Sequence, residues 1–582
     1  MTTSDHSSRT NSSASPIGGA FLLGDTHPVY TPEDLGAEDR LAGDTATRFL
    51  RDRVLPATEQ IEQGNHTLMH TLMKEAGELG LLGADIPAEY GGLGLSQPAT
   101  ALIAERLNPQ QSFALTHEAH TVIATLPLLY FGSEHQKNKY LPGLASGECI
   151  GSFALSEAGS GSDALALQTR AEHKNDGTYL LNGEKMWITN SAFAGLFTVF
   201  ARTDKGVTAF LVERDCKGVS FGREENKLGM HGTSTRRVIL ENAVVPSDNA
   251  LEEGKGHYAA FCALNIGRFR LEAGAVGGLK YLLEQCAQYA VQRKTFGKSI
   301  GEYGLIRQKL AEMAAHTFAL ESMVYRIAGE LENLLCQIPA RSEQTSVLYH
   351  KAAEELAIEC NMVKVFGSEA YSVCADEAIQ IHGGYGYTEE LPLARAWRDQ
   401  RLLRIGEGAN EIVRVAIVNL LLRRIAAERL ALPKESDFSA GLEQNAASLL
   451  RGLGLDMLRE AKKRIGAELP LHQEACACIA DVLVSAYAQQ SVFLRTGRMQ
   501  EGNRRKRAVL LADVQAQSCV ETALLCARRL SLILAGDAGE HRDITGVFHP
   551  WLAALTRFSG SPLEKTHSLA TLCMEMGSYP LV

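Results

Sequence analysis

Arg404-Ile-Gly-Glu-Gly-Ala-Asn-Glu-Ile412 sets one carboxylate, Glu407, between two glycines and just ahead of a run with helical periodicity. Read alone, such a glutamate is either an anion placed at a helix N-terminus, where the helix dipole favours it, or a charge set apart for chemistry. Position separates the readings. The stretch closes a series of glycine-, hydroxyl- and aromatic-bearing motifs that succeed one another over about 250 residues.

Going toward the N-terminus, the fourth motif is Gln380-Ile-His-Gly-Gly-Tyr-Gly-Tyr387, three glycines after a helical stretch. Glycines there either cap a helix or bare backbone amides toward a nucleotide. The third, Arg293-Lys-Thr-Phe-Gly-Lys298, ends a long helical pattern and offers cations, a hydroxyl and an aromatic ring, a set suited to a pyrophosphate and an adenine, or simply to a solvated helix end. The second, Lys185-Met-Trp-Ile-Thr-Asn190, follows Asn182-Gly183, which reads as a tight turn between strands. A strand would put Trp187 and Thr189 on one face, an indole and a hydroxyl for a flat aromatic cofactor or else for a sheet core. The first, Phe153-Ala-Leu-Ser-Glu-Ala-Gly-Ser-Gly-Ser-Asp163, is a loop of small residues in which Ser156 and Ser162 are donors for an electron-rich ring edge or a phosphate-like group.

The surrounding pattern gives the architecture. Apolar residues recur at helical intervals through 34–144, for example Leu41, Ala42, Ala46, Phe49 and Leu50. Near Ile150 the pattern changes to short β-type runs such as Phe197-Thr-Val-Phe200, Thr208-Ala-Phe-Leu-Val212 and Val238-Ile-Leu240. After Pro246 no proline occurs until Pro339, and then none until Pro392, in a Leu-, Ala- and Glu-rich stretch that suits long bundled helices. Leu432-Pro-Lys-Glu-Ser-Asp437 reads as a linker before a second helical region. The predicted organisation is a disordered leader (1–18), an N-terminal helical domain (19–149), a β domain (150–255), a helical bundle carrying Glu407 (256–431) and an additional C-terminal helical domain (432–582). The fold class is mainly α with a central, barrel-like β domain.

Bulk properties exclude several functions. A net charge of −10 over 582 residues argues against a general nucleic-acid binder. The cysteines lack metal-type spacing, and His382 has no partner ligand, so no metal site is expected. The leader has no apolar core and only one arginine, and no uninterrupted apolar run reaches membrane-spanning length, which together suggest a cytoplasmic protein. Arg504-Arg-Lys-Arg507, and Lys462, Lys463 and Arg464 beside an apolar stripe over 449–465, are either solvated faces or a peripheral contact with an anionic membrane.

Together these motifs resemble the acyl-CoA dehydrogenases, in particular the very-long-chain branch. The likeness runs over about 18–424 and includes Ala88-Glu-Tyr-Gly-Gly-Leu-Gly94, Phe131-Gly132, Lys139-Tyr-Leu-Pro142 and Asn265-Ile-Gly-Arg-Phe269; the long tail is typical of that branch. The resemblance implies FAD between the β domain and the bundle, reaching a neighbouring subunit of a homodimer. It implies that Phe153, Ser156, Ser162, Trp187, Ile188, Thr189, Ala409 and Glu411 meet the cofactor, and that Arg293, Phe296, Gln380, Gly383 and Gly384 hold its adenine dinucleotide end across the interface. Ser162, Arg268 and Gly408 would place an acyl-CoA, and Glu407 would take the proton next to the thioester carbonyl. The product implied is a trans-2-enoyl-CoA in fatty-acid β-oxidation, with electrons passed to an electron-transfer flavoprotein. Some relatives carry the base beside Arg268, but Gly267 stands there here.

Departures from the family pattern are also visible. Ala409 stands where a threonine is usual, Gly406 where tyrosine or phenylalanine is common, and Ser156 and Ala158 replace threonine and proline. Gly406 implies more room beside the reacting carbons. Competing readings are a flavin oxidase on the same fold and a non-catalytic assembly scaffold.

Overall fold

The computed structural model describes residues 18–24, 27–339, 344–433, 445–535, 541–558 and 562–581. The leader and most of the linker at 432–437 therefore lie outside the described residues. Gly18 is described and is buried, its N–H donating to Glu355 at 2.9 Å.

The N-terminal region is helical, with α1 (Ala37–Phe49), α2 (His66–Glu78), α3 (Gln97–Leu107), α4 (Gln111–Glu118), α5 (Thr125–Phe131) and α6 (Glu134–Ser146). Between α4 and α5 the chain makes a π-helical turn, Ala119–Ala124. Local signals set these boundaries: Ser96, Ser133 and Asn65 cap helices by accepting from backbone N–H groups, and Gly147, in the left-handed region, ends α6.

An eight-stranded sheet follows: β1 (Gly151–Ala154), β2 (Arg170–His173), β3 (Thr178–Thr189), β4 (Leu196–Thr203), β5 (Gly206–Glu213), β6 (Val219–Glu224), β7 (Thr235–Pro246) and β8 (Ala250–Leu251). The order is β6-β7-β3-β2-β4-β5-β8, with β1 parallel to β4. Asn182-Gly183 does not form the expected turn. It lies inside β3, at a register irregularity opposite β7. A Cβ on Gly183 would stand 2.4 Å from Thr169 Oγ1, so the glycine is there for close approach of two backbones, a demand that reads in sequence like a hairpin signal.

The bundle contains α7 (Gly256–Gln292), α8 (Gly304–Leu335), α9 (Thr345–Glu355), α10 (Ala357–His382), α11 (Leu393–Gln400) and α12 (Asn410–Ala426). A two-stranded hairpin, β9 (Lys294–Thr295) and β10 (Lys298–Ser299), separates α7 from α8. Glycines let the helices approach: a Cβ on Gly277 of α7 would lie 1.8 Å from the Glu105 carbonyl oxygen of α3.

The tail consists of α13 (Ala446–Ile465), α14 (Gln473–Arg498), α15 (Asn503–Ala535), α16 (His541–Phe558) and α17 (Pro562–Met576). It shares one continuous apolar core with the bundle. Charged groups reinforce the junction: the buried Arg495 of α14 donates to Glu321 of α8 at 2.6 Å and to Glu33 at 2.8 Å. The apolar stripe of 449–465, raised above as a membrane face, is packed into this core through Leu449, Leu450, Leu453, Met457 and Leu458. Arg504 and Arg507 donate to backbone carbonyls near the C-terminus. By length and composition α14 is apolar enough to span a bilayer, but 83% of its apolar window is buried within the fold.

Candidate active site

Glu407 sits in the turn between α11 and α12 with φ of 57°, a left-handed conformation that costs a glutamate free energy and persists only where neighbours fix it. Two cations do so. Arg268 of α7 donates from Nε to the Glu407 carbonyl at 2.8 Å, and from Nη1 to Asn265 and Asn361 at 2.9 and 3.0 Å. Lys364 of α10, fully buried, donates to the Gly408 carbonyl at 2.6 Å and to Asn410 Oδ1 at 2.5 Å. The Arg268 guanidinium that the family resemblance assigns to the substrate is thus spent, in these contacts, on the loop of the base.

The carboxyl group of Glu407 is set against α7 at Gly267. A Cβ on Gly267 would stand 3.3 Å from Glu407 Oε2 and 3.2 Å from Ile123 in the π-helical turn. The glycine that removes a rival base therefore also makes room for this one. Oε2 is buried without a hydrogen-bond partner among the described residues. Loss of hydration raises the carboxyl to about 7 from its ordinary value near 4.5, against the opposing pull of Arg268 and Lys364. Burial outweighs the following helix, a balance the sequence leaves open.

Two other carboxyls lie farther along α7, one packed against it and one on it. Glu118 occupies the notch left by Gly274, two turns beyond Gly267; burial holds it at about 8, with Arg270 lowering it and Glu407 raising it further. Glu272 is buried with neither oxygen partnered among the described residues, and burial pushes it well up despite the nearby Lys364. With its carboxyl at about 8, Glu118 is mostly neutral near pH 7, and burial disfavours the charged form of Glu272 in the same way.

The first two motifs meet at the end of the β domain. Lys185 of β3 is buried and donates to the Leu155 carbonyl at 3.1 Å and to Glu157 at 2.7 Å. Glu157 also accepts from Thr169, which fixes the base of the loop around Ser156 and Ser162. Gly159 and Gly161 face open space. At the end of β3 a bulge between Lys185 and Ile188, with Trp187 at φ of 56°, leaves the indole 55% exposed while Ile188 enters the β-domain core. Thr189 is half-buried, its carbonyl accepting from Ser152. Phe153 packs edge-on against Phe200.

The third and fourth motifs form one cleft of about 490 Å³, lined by Tyr289, Arg293, Thr295, His382, Gly383 and Gly384 among others. Phe296 and Gly297 both have positive φ, as a two-residue hairpin turn of the primed type requires, and Phe296 at the tip is 96% exposed. Gly383 and Gly384 have no atom near their Cβ positions, so the backbone is open to a ligand. Gln380 and Glu411 are exposed, and Ala409 caps α12 without a side-chain hydrogen bond. Open glycine backbone, uncovered aromatic rings and an available guanidinium fit a dinucleotide with a flat ring system.

The sequence reading passed over Lys364, Asn361 and Ser368. The signal was present: these polar residues recur on one face of an otherwise apolar helix, all buried.

Comparison with known proteins agrees with this layout. Residues 36–148, 152–243 and 254–422 match the models of the acyl-CoA dehydrogenase N-terminal, middle and C-terminal domains. The chain is 42% identical over 526 residues to a probable acyl-CoA dehydrogenase of Bacillus subtilis, covering 86% of this chain and 88% of that one. It is 33% identical to the mitochondrial very long-chain specific acyl-CoA dehydrogenase of Bos taurus, covering 79% and 71%. Among solved structures, an acyl-CoA dehydrogenase complexed with FAD from Bacillus anthracis superposes with a TM-score of 0.90 at 39% identity, covering 97% of this chain and 99% of that one.

Proposed function

This chain belongs to the acyl-CoA dehydrogenase family, and on that premise we propose that it binds FAD and converts a long-chain acyl-CoA to the trans-2-enoyl-CoA, with Glu407 as the base. The observation that carries the assignment is the Glu407 carboxyl: its Oε2 buried and without a partner among the described residues, raised to about 7, and held by its backbone rather than by a salt bridge. Such a group is ionised in part at neutral pH and basic enough to take a proton from the carbon next to a thioester carbonyl. The Glu407 N–H has no hydrogen-bond partner among the described residues, and is available to polarise that carbonyl as charge develops. Arg268 and Lys364 hold the loop, so the base does not reorganise during transfer.

FAD, when bound, supplies the acceptor for the hydride leaving the β-carbon. Thr189, Trp187 and the loop of Ser156 and Ser162 would meet its ring system, and Arg293, Phe296, Gln380, Gly383 and Gly384 its adenine end. The exposure of Phe296, Tyr385, Tyr387 and Leu305 around that cleft supports a second copy of the chain as its cover, hence a homodimer. The remaining parts of the reading are an electron-transfer flavoprotein as acceptor, a place in β-oxidation, and a cytoplasmic location consistent with free cysteines. Membrane contact is not part of it, because the apolar side of α13 is used within the fold. The test is anaerobic titration of the purified flavoprotein with acyl-CoAs of increasing chain length. Bleaching strongest with long chains supports the proposal; a flavin that no acyl-CoA reduces overturns it.

A further inference from the structure

The match to the C-terminal domain model ends at residue 422, yet a helix beyond it is linked to the loop of the base. Asp481, on α14 of the tail, accepts from Arg414 Nε at 2.7 Å. Arg414 Nη1 donates to Glu369 Oε1 at 3.3 Å, and the same oxygen accepts from Asn410 Nδ2 at 2.9 Å. Asn410 Oδ1 in turn accepts from Lys364, which donates to the Gly408 carbonyl. Glu369 Oε2 also pairs with Arg404, at the other end of the loop, at 3.4 Å. The connection is continuous from the tail to both flanks of Glu407.

Each link fixes the next. Asn410 is 1% exposed and Lys364 fully buried, so neither finds water as an alternative partner. An Asn amide turned over would face Lys364 with its donor; Glu369 and Ser368 oppose this by accepting from Nδ2 at 2.9 and 3.0 Å. Glu369 is itself less buried and depends on its cations, and Arg414 is aimed by Asp481. A left-handed glutamate is the part of this assembly with most to gain from such bracing.

We infer that Asp481 is a positioning residue for the dehydrogenation, and that the C-terminal domain acts on the base through Arg414, Glu369, Asn410 and Lys364. The inference rests on the assignment of Glu407 as the base. The charged and titratable groups around Asp481 are Arg414 on α12, Glu369 on α10, Arg529 and Cys526 on α15, and Cys478 on its own helix. Those around Glu407 are Arg268 on α7, Lys364 on α10 and Glu118 on α4. Loosening the loop admits water to Glu407 and returns its carboxyl toward the ordinary range.

The test compares full-length, FAD-loaded wild type with Asp481→Ala, Asp481→Asn and Glu369→Gln. The readouts are the limiting rate of anaerobic flavin bleaching, the half-saturating concentration and the acid-side pH midpoint, with the acyl-CoA that reduces wild type fastest. Asp481→Ala should lower the limiting rate about tenfold, leave half-saturation within twofold, and move the pH midpoint down by about half a unit or more. Asp481→Asn, which still accepts from Arg414, should fall between; Glu369→Gln combined with Asp481→Ala should cost no more than the larger single effect. An unchanged rate and midpoint overturns the inference, as does a slower rate with an unmoved midpoint and a lower melting temperature, which is a structural effect alone. Glu407→Gln in the same assay separates the premises. If it still bleaches, the base assignment fails; if it is inert while the Asp481 variants match wild type, only the role of the tail fails.

Discussion

Titration of Glu407 should be visible in both rate and stability. With its carboxyl at about 7, the base is about 10% ionised at pH 6 and about 90% at pH 8, whereas an ordinary glutamate would be almost fully ionised at both. The second-order rate of flavin bleaching at low acyl-CoA, which reports the free enzyme, should rise nearly tenfold across that interval. Lys364, lowered by burial to about 8, then begins to lose its charge, which predicts a shallower decline at higher pH. The stability sign follows from linkage. The folded state binds the proton more tightly than the unfolded one, so the contribution of Glu407 is fully present below about pH 4.5 and is lost as pH rises through about 7. A shift of about 2.5 units corresponds to about 3 kcal/mol at most, and with one side of the residue toward the cleft about 1–2 kcal/mol is expected. Glu407→Gln should therefore match wild type in melting temperature at pH 5 and exceed it at pH 8. Stopped-flow reduction and paired thermal melts of the holoprotein measure both. A rate flat from pH 6 to 8, or a Gln variant whose melting temperature parallels wild type at all pH values, would refute the burial argument.

Other substitutions probe separate parts of the structure. Ala409→Thr supplies α12 with the side-chain cap it lacks and should raise stability by about 1 kcal/mol, read as a higher denaturation midpoint. Gly277→Ala places a methyl 1.8 Å from a backbone oxygen at the α3–α7 crossing and should destabilise by about 3 kcal/mol or more, read as loss of soluble holoprotein or a much lower melting temperature. At Gly406 an added Cβ would make only ordinary contacts, 3.6 Å from the Leu402 carbonyl, so Gly406→Tyr should fold normally. It should lower kcat/KM for branched acyl-CoAs relative to straight ones by about tenfold, as competition assays can show.

Most of the architecture was legible because its signals are local. Long proline-free helical periodicity, short β runs and a prolyl break each report on a few neighbouring residues, and the structure has helices, sheet and helices in that order. Asn182-Gly183 misled because a glycine required by the backbone of Thr169 looks, in one dimension, like a glycine required by a turn. Within the site, glycines and aromatics at motif positions were readable, and the polar face of α10 marked Lys364, whereas the pairings of Lys364, Glu369 and Asp481 were not. They join residues 44 to 67 positions apart, and no local pattern encodes a pairing between helices brought together by packing. The direction of the Glu407 shift belongs to the same class, since desolvation is a property of the assembled loop, π-turn and α7.

The most direct test of the central claim is an anaerobic acyl-CoA titration of wild type beside Glu407→Gln, followed at the flavin absorption band. Bleaching of the wild type with little or none in the variant, both retaining bound flavin and substrate, is the predicted result. Equal bleaching in the two proteins would contradict it and place the base elsewhere.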